Sequence, residues 1–378
     1  MQYVPFGNHG FDVSRLGFGC MRLPTRKNGE KTVIDREAAI AMIRRGIDGG
    51  ISYIDTAYPY HDGESEIVTG LALKDGYRER VTLTTKLPVW AVNEEKDMNR
   101  LLDEQLKKLD VPYVDFYLLH ALDKDRIAKM RAFHYQDFFR QAIADGRVKH
   151  AGFSFHDDRQ TFLDILGDWD QWGMAQIQYN YLDDQDQATE AGLIEAGKRG
   201  VPIVVMEPLR GGALANPPLN VKQMMDAHPS HRSAVEWAFA YIANYPQVAT
   251  ILSGMSTEEQ LTDNLQVFDR VTVGGLTADE QAFTAQLKQA YLSRMPVKCT
   301  GCRYCQPCPQ NVHIPTIFEA YNQAKMFDQP DRFTRRYNDL QKKNQDASQC
   351  VQCGACESAC PQHLPIIDWL QKIGREAP

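Results

Sequence analysis

Of the nine cysteines in this 378-residue chain, eight lie between Cys299 and Cys360, and only Cys20 precedes them. A disulfide framework suits a small exported domain. This chain is long, and Met1 to Gly10 shows no basic stretch leading into an apolar one, as a secretory signal would. The thiols are therefore expected to be reduced and metal-bound in a cytoplasmic protein. The same asymmetry divides the chain near residue 296, into a large ordinary domain over 1–295 and a small cysteine-dense one over 296–378. Hydrophobic residues at 43% and charged residues at 24% are ordinary for a globular chain and exclude disorder. A net charge of −7 argues against nucleic acid or an anionic membrane as the main partner. No apolar run approaches the ~20 residues that span a bilayer.

In the large domain, short apolar runs recur at intervals that fit a strand, a loop and a helix. They are Ser14–Cys20, Tyr53–Ala57, Val81–Lys86, Asp115–His120, His150–Phe155, Ala175–Asn180, Pro202–Glu207 and Val248–Gly254. Most are continuous rather than alternating, as parallel strands buried on both faces require. Amphipathic stretches lie between them; in Asn93–Leu109, for example, Leu101, Leu102, Leu106 and Leu109 form one apolar stripe. A short hairpin precedes them, with Gln2–Phe6 and Asp12-Val13 joined at Gly7–Gly10. Eight such repeats predict an α/β fold of the closed (β/α)8, or TIM barrel, type. The alternative, an open doubly wound sheet, is weakened because Gly17-Phe18-Gly19-Cys20-Met21-Arg22 breaks the glycine pattern expected after the first strand.

Function in such a barrel belongs at the carboxyl ends of the strands. The polar residues there are Asp55, with Tyr60 five residues on, Lys86, His120, Ser154, His156, Gln178, Asn180 and Glu207. Taken singly, Asp55 or His120 reads better as a satisfied structural group, and Tyr58 competes with Tyr60. Together, Asp55, Tyr60, Lys86 and His120 permit proton transfer to a carbonyl oxygen. A phenol with pKa about 10 is a poor acid–base group at neutral pH. A nearby ammonium favours the phenolate, and the aspartate keeps that ammonium charged. Histidine can donate a hydrogen bond to the same oxygen as charge builds there. None of the four donates hydride, so a redox cofactor must.

Three runs carry a resemblance: Tyr53-Ile54-Asp55-Thr56-Ala57-Tyr58-Pro59-Tyr60, Leu83-Thr84-Thr85-Lys86 and Val114-Asp115-Phe116-Tyr117-Leu118-Leu119-His120. With the opening Tyr3–Gly7 and Ser14–Gly19, they resemble the ordered motifs of the aldo-keto reductase family over about residues 1–290. The resemblance implies a general acid at Tyr60, tuned by Lys86 and Asp55, with His120 orienting the carbonyl. It also implies NADP(H) or NAD(H) extended across the barrel mouth. Gly19, Cys20 and Met21 would border that cofactor after the first strand. Ser154 and Gln178 match carboxamide-holding positions, and Met206 stands where many members stack a tyrosine on the nicotinamide. Pro208, Leu209 and Gly211 belong to a loop like the one over the pyrophosphate. Gly254, Ser256, Gln260 and Asn264 resemble the adenosine-end segment, where Ser256 reads alternatively as a helix cap. Two further departures are Phe155, where an asparagine usually follows the carboxamide serine, and Gly254 with Gln260, where basic residues usually meet a 2′-phosphate. The choice of nucleotide stays open, with a lean to NADPH from the family.

In the small domain, Cys299, Cys302, Cys305 and Cys308 precede Pro309, and Cys350, Cys353, Cys356 and Cys360 precede Pro361. The second set has the C-x2-C-x2-C-x3-C-P spacing of two-cluster ferredoxins, and the first is one residue shorter before its last cysteine. Triplets at this spacing fit zinc poorly, since zinc takes C-x2-C pairs from separated segments. Two 4Fe–4S clusters are expected, each triplet closed by the remote fourth cysteine: Cys360 with the first and Cys308 with the second. The helical stretch between the sets is similar to α-helical ferredoxin modules appended to oxidoreductases. The whole chain resembles an aldo-keto reductase subgroup with a carboxyl-terminal iron–sulfur domain, found mainly in bacteria and archaea.

The expected function is reduction of a small carbonyl compound, or oxidation of an alcohol, at the barrel rim. The clusters are expected off the hydride path, holding the module together or serving a one-electron carrier such as ferredoxin. The competing function is an electron-transfer or redox-sensing protein whose barrel only binds nucleotide. The intact Asp55–Tyr60–Lys86–His120 set favours the first. Trp90, Tyr58 and His61 are expected to line the substrate pocket.

Overall fold

The apolar runs of the first 254 residues pair as parallel strands, and their ends meet. The computed structural model describes residues 1–377. Its strands are β1 (Tyr3–Pro5), β2 (Asp12–Ser14), β3 (Leu16–Gly19), β4 (Thr25–Asn28), β5 (Lys31–Ile34), β6 (Tyr53–Asp55), β7 (Thr82–Leu87), β8 (Val114–Leu122), β9 (Val148–Phe155), β10 (Met174–Gln178), β11 (Ile203–Met206) and β12 (Val248–Ser253). Eight of these close a barrel in the order β3, β6, β7, β8, β9, β10, β11, β12 and back to β3. The antiparallel pair β1–β2 is the expected hairpin, and Phe6 from it packs with Val13, Tyr53, Phe116, Leu118 and Met174. A second hairpin, β4–β5, was not expected from periodicity, because its strands are short and largely exposed. The local signal was Asn28-Gly29 at the turn, with Gly29 at φ +62°.

Helices follow the strands and cover the barrel. Arg36–Asp48 is capped by Asp35, which accepts from Ala38 N. The stripe of Leu101, Leu102, Leu106 and Leu109 is buried on helix Lys96–Leu109, which starts three residues later than its periodicity predicts. Helix Ser65–Ala72 meets the end of that helix so closely that a β-carbon on Gly70 would stand 2.2 Å from Leu109 O. Only glycine allows this approach, and it holds the face bearing Glu66 against the barrel. Helix Glu258–Arg270 is capped by Thr257, not by Ser256, and Gln260 reaches back to accept from Ser256 N.

The chain forms two compact units, Met1–Gly211 with Val235–Gln281, and Gly212–Ala234 with Ala282–Pro378. In the second, helices Ile314–Phe327, Pro330–Gln341 and Ile366–Glu376 bury Ile317, Phe318, Tyr321, Phe333, Tyr337, Leu370 and Ile373 in one core. Cys360 lies within this core, and Cys299, Cys305, Cys308, Cys350 and Cys356 pack against it. Asn322 ties the cysteine-bearing segment to helix Ile314–Phe327, accepting from Val297 N and donating to Val297 O at 2.9 and 2.7 Å. Among the described residues, no helix is long and apolar enough to cross a membrane.

Candidate active site

Barrel register sets Asp55, Lys86 and His120 side by side, since Asp55 pairs with Thr84 and Lys86 with Leu118. Tyr60 comes from the turn Tyr60–Gly63, where His61 and Asp62 both adopt positive φ, at 50° and 55°. Lys86 Nζ donates to Asp55 Oδ1 at 2.7 Å and to Thr56 O at 2.8 Å, and lies 3.5 Å from the Tyr60 hydroxyl. The second oxygen of Asp55 accepts from Gln176 Nε2 at 3.3 Å. The Tyr60 and His120 rings stand edge to face with centroids 6.1 Å apart, and Trp90 lies 5.1 Å from His120. Tyr58 turns away, donating to Glu104 Oε1 at 3.0 Å with Lys108 Nζ over its ring. Of the two candidate tyrosines, the structure places Tyr60 at the lysine. His61 accepts from Leu23 N at 3.2 Å, so its Nε2 serves the neighbouring turn.

Electrostatics follow from burial. Lys86 is 1% and Asp55 3% exposed. Burial alone would lower the Lys86 pKa, but Asp55 and Tyr60 together outweigh it and hold the ammonium above its ordinary range. Burial raises Asp55 more than Lys86 lowers it. The same balance acts on Tyr60, where burial outweighs the pull of Lys86 and the phenol ends above its usual value. The ammonium acts in the expected direction, yet the hydroxyl stays protonated at neutral pH. His120 is driven well below its ordinary pKa by burial and by Lys86, so its ring is neutral. Its Nδ1 is buried without a hydrogen-bond partner among the described residues.

Behind Lys86 lies a buried polar network that residue-by-residue reading missed. Thr85 Oγ1 donates to Glu66 Oε1 at 2.7 Å, and Gln105 Nε2 donates to the same oxygen and to Lys86 O at 3.0 Å. Tyr117 OH donates to Gln105 Oε1 at 2.6 Å. All four side chains are fully buried. The available signal was Gln105 itself, a polar residue inside an otherwise apolar helical stripe.

The expected cofactor positions ring the same mouth. Gly19 ends β3, Cys20 is fully buried with its thiol pushed up to about 12 by burial, and Met21 is exposed. Ser154 Oγ accepts from Ala121 N at 2.7 Å. Gln178 and Met206 are paired at the ends of β10 and β11. Gln178 donates to Asp183 at 3.3 Å and accepts from Gln187 at 3.1 Å. Pro208, Leu209 and Gly211 lie in a loop where Glu207, Arg210 and Gly211 have φ of 56°, 51° and 65°. Arg210 Nε donates to the buried Asp183 at 2.8 Å. Past β12, Gly254 leads to Ser256, whose hydroxyl donates to Arg22 O at 2.7 Å, while Asn264 donates to Ser253 Oγ at 2.9 Å. Phe155 is buried against Phe162 at 5.2 Å, so it faces the helices while His156 is exposed.

In the second unit the cysteines line two hollows. One is lined by Cys305, Cys308, Cys350, Cys353 and Cys356. The other is lined by Cys299, Cys302, Cys305 and Cys360. Five thiols line one hollow and four the other, Cys305 lying on both, and each set includes the four thiolates that a 4Fe–4S cubane takes. Among the described residues, no three His, Cys, Asp or Glu side chains are placed to hold a single metal ion.

Comparison with known proteins agrees with both halves. A sequence model described as the Aldo/keto reductase family matches residues 15–274, and one described as a 4Fe-4S dicluster domain matches residues 298–364. The probable aldo-keto reductase 1 of Glycine max is 30% identical over 167 residues, which span 41% of this chain and 45% of that protein, just under half of its length. Methylglyoxal reductase YeaE of Escherichia coli K12 is 28% identical over 239 residues, or 57% of this chain and 74% of YeaE. The holo form of aldo-keto reductase AKR11C1 from Bacillus halodurans matches with a TM-score of 0.62 at 25% identity, covering 76% of this chain and 96% of that one. An aldo-keto reductase from Klebsiella pneumoniae in complex with NADPH has the same fold, with a TM-score of 0.60 at 22% identity over 76% of this chain and 95% of its own.

Proposed function

This chain belongs to the aldo/keto reductase family, and from that premise we propose that it reduces a small carbonyl compound with NADPH or NADH, Tyr60 being the acid. The carrying observation is the Asp55–Lys86–Tyr60 chain, with Lys86 Nζ 2.7 Å from the carboxylate and 3.5 Å from the phenol oxygen. A bound nicotinamide would supply the hydride. The chain's own residues supply the proton and the setting for it. The protonated Tyr60 hydroxyl donates to the carbonyl oxygen as charge develops there, and Lys86 stabilises the phenolate left behind. Neutral His120 offers a hydrogen bond to the same oxygen, and Trp90 beside it borders the substrate. In the oxidative direction the phenolate takes the alcohol proton.

The residues that would hold the cofactor run across the rim, from Gly19, Cys20 and Met21 through Ser154, Gln178 and Met206 to the loop of Pro208, Leu209 and Gly211. Gly254, Ser256, Gln260 and Asn264 frame its adenosine end. Either nucleotide fits this premise; a neighbour of the same fold was crystallised with NADPH.

The second unit carries two 4Fe–4S clusters, one on Cys299, Cys302, Cys305 and Cys360, the other on Cys350, Cys353, Cys356 and Cys308. The thiols lining the two hollows support this crossed grouping. Held on these thiols, the clusters would lie off the hydride path and would supply one-electron exchange with a carrier such as a ferredoxin. The exposed Tyr304 and Val351 beside one hollow, at 69% and 62%, support access from outside. Thiolate-bound iron is consistent with a reducing cytoplasm.

The deciding experiment is Tyr60→Phe, assayed anaerobically for nucleotide binding and for reduction of a panel of aldehydes, ketones and sugars. Loss of an acid lowers turnover by about 10²–10⁴ while nucleotide affinity stays close to that of the parent. Undiminished turnover removes the assignment.

A further inference from the structure

One guanidinium at the barrel mouth has no role in the site described above. It belongs to Arg22, in the turn Cys20–Arg22, and the backbone around it is fixed from three sides. Ser65 Oγ donates to Cys20 O at 2.9 Å, Leu23 N donates to His61 Nε2 at 3.2 Å, and Ser256 Oγ donates to Arg22 O at 2.7 Å. The Arg22 side chain is exposed, and among the described residues it has no hydrogen-bond or ion-pair partner. Two other rim arginines are engaged, Arg210 with Asp183 at 2.8 Å and Arg126 with Ala121 O at 2.6 Å.

Two glycines make room for this side chain. A β-carbon on Gly254 would stand 3.2 Å from Arg22 Cδ and 3.3 Å from its Cβ and Cγ, and one on Gly211 would stand 3.3 Å from Nη2. The aliphatic stem therefore runs over Gly254, just past β12, and the charged head reaches Gly211, in the loop after β11. Gly254 is not among the residues with positive φ, so its backbone does not require glycine. The space is taken up by Arg22. The segment from Gly254 to Gln260 holds two acids, Glu258 and Glu259, and no cation of its own. Glu258 is neutralised by Arg45, and Glu207 Oε2 stands 3.6 Å from the Gly211 position without pairing with Arg22.

We propose that Arg22 is the phosphate-binding cation of the dinucleotide site. Its guanidinium is held over Gly254 and Gly211 to pair with a phosphate of the bound nucleotide, either the pyrophosphate or a ribose 2′-phosphate. The proposal rests on the reading that this mouth binds NAD(P)H. A guanidinium presents a planar fork of donors that matches two phosphate oxygens at once. With its backbone tethered and its stem resting on glycine, part of the ordering is complete before the ligand arrives.

The test uses the full chain, purified anaerobically, with NADPH and NADH titrated against intrinsic fluorescence for the parent, Arg22→Ala, Arg22→Lys and Gly254→Val. Far-ultraviolet dichroism and iron–sulfur absorbance serve as controls for folding. Arg22→Ala is expected to weaken binding by about tenfold to a hundredfold, the range for losing a charge-assisted hydrogen-bonded pair. Arg22→Lys keeps the charge without the fork and falls between. Gly254→Val displaces the stem, so it weakens binding in the parent and adds little in the Arg22→Ala background. An equal loss for NADH and NADPH identifies the pyrophosphate, and a loss confined to NADPH identifies the 2′-phosphate. Unchanged affinity of Arg22→Ala for both nucleotides overturns the proposal, as does a change confined to the KM of the carbonyl substrate. A parent that binds neither nucleotide overturns the cofactor reading itself, which the variants alone could not do.

Discussion

Replacing Lys86 with methionine removes an ammonium while keeping an apolar stem of similar reach. In the parent that ammonium bonds Asp55 at 2.7 Å and Thr56 O at 2.8 Å. The variant leaves the Asp55 carboxylate, only 3% exposed, with Gln176 at 3.3 Å as its remaining partner. Removing one member of a buried ion pair costs about 3–5 kcal/mol, a large share of the roughly 5–15 kcal/mol that holds a domain folded. Protonation limits the loss. Burial already raises the Asp55 pKa, and without Lys86 it rises further, so the group takes up a proton rather than remain charged and alone. We therefore expect a deficit near the lower end, about 3 kcal/mol at neutral pH. A carboxyl raised above its unfolded value loses stability as pH rises, so the deficit shrinks towards acid and grows towards alkaline pH. Carbonyl reduction falls by about a hundredfold or more, because the phenolate loses its stabilising charge, while nucleotide binding is retained. Urea unfolding followed by tryptophan fluorescence reads the barrel, since Trp90, Trp169, Trp172 and Trp237 lie in that unit. Asp55→Asn and the double variant complete a thermodynamic cycle. If the double variant is as destabilised as the sum of the two singles, the pair is not coupled and the reasoning is wrong.

Because burial keeps the Tyr60 phenol protonated and holds its pKa above the ordinary phenol value, reduction should be flat through neutral pH and decline only in the alkaline range, where alcohol oxidation should rise. A steady-state pH profile with a limb near the ordinary histidine pKa of about 6.5 would contradict the neutral His120. Anaerobic protein should hold about eight irons, as two cubanes require. Electron paramagnetic resonance should show Cys308→Ser perturbing the cluster on Cys350, Cys353 and Cys356, and Cys360→Ser the one on Cys299, Cys302 and Cys305. The reverse pairing refutes crossed ligation.

The barrel was legible in the sequence because strands buried on both faces must be apolar along their whole length, and such runs stand out from amphipathic helices. Lys86 and His120 were legible for the same reason, each being a polar residue near the end of an apolar run on the rim. The cysteine spacings were legible because a short local segment wraps three corners of a cubane. Distances between remote segments were not. Tyr58 and Tyr60 are two residues apart, and the left-handed turn at His61 and Asp62 leaves Tyr60 at Lys86 and Tyr58 at Glu104. The direction of the Tyr60 pKa depends on how deeply the phenol sits, since charge and burial oppose each other there. The Glu66–Thr85–Gln105–Tyr117 network joins two helices and two strands that only the pairing of β7 with β8 and the packing of their helices bring together. Arg22 and Gly254 lie at opposite ends of the barrel sequence, and they touch because β12 closes on β3. Local periodicity and spacing determined which elements form and which chemical groups they carry, because those depend on neighbours along the chain. Tertiary structure alone decided which groups meet, at what distance and how far from water, and these set the proton's position at Tyr60.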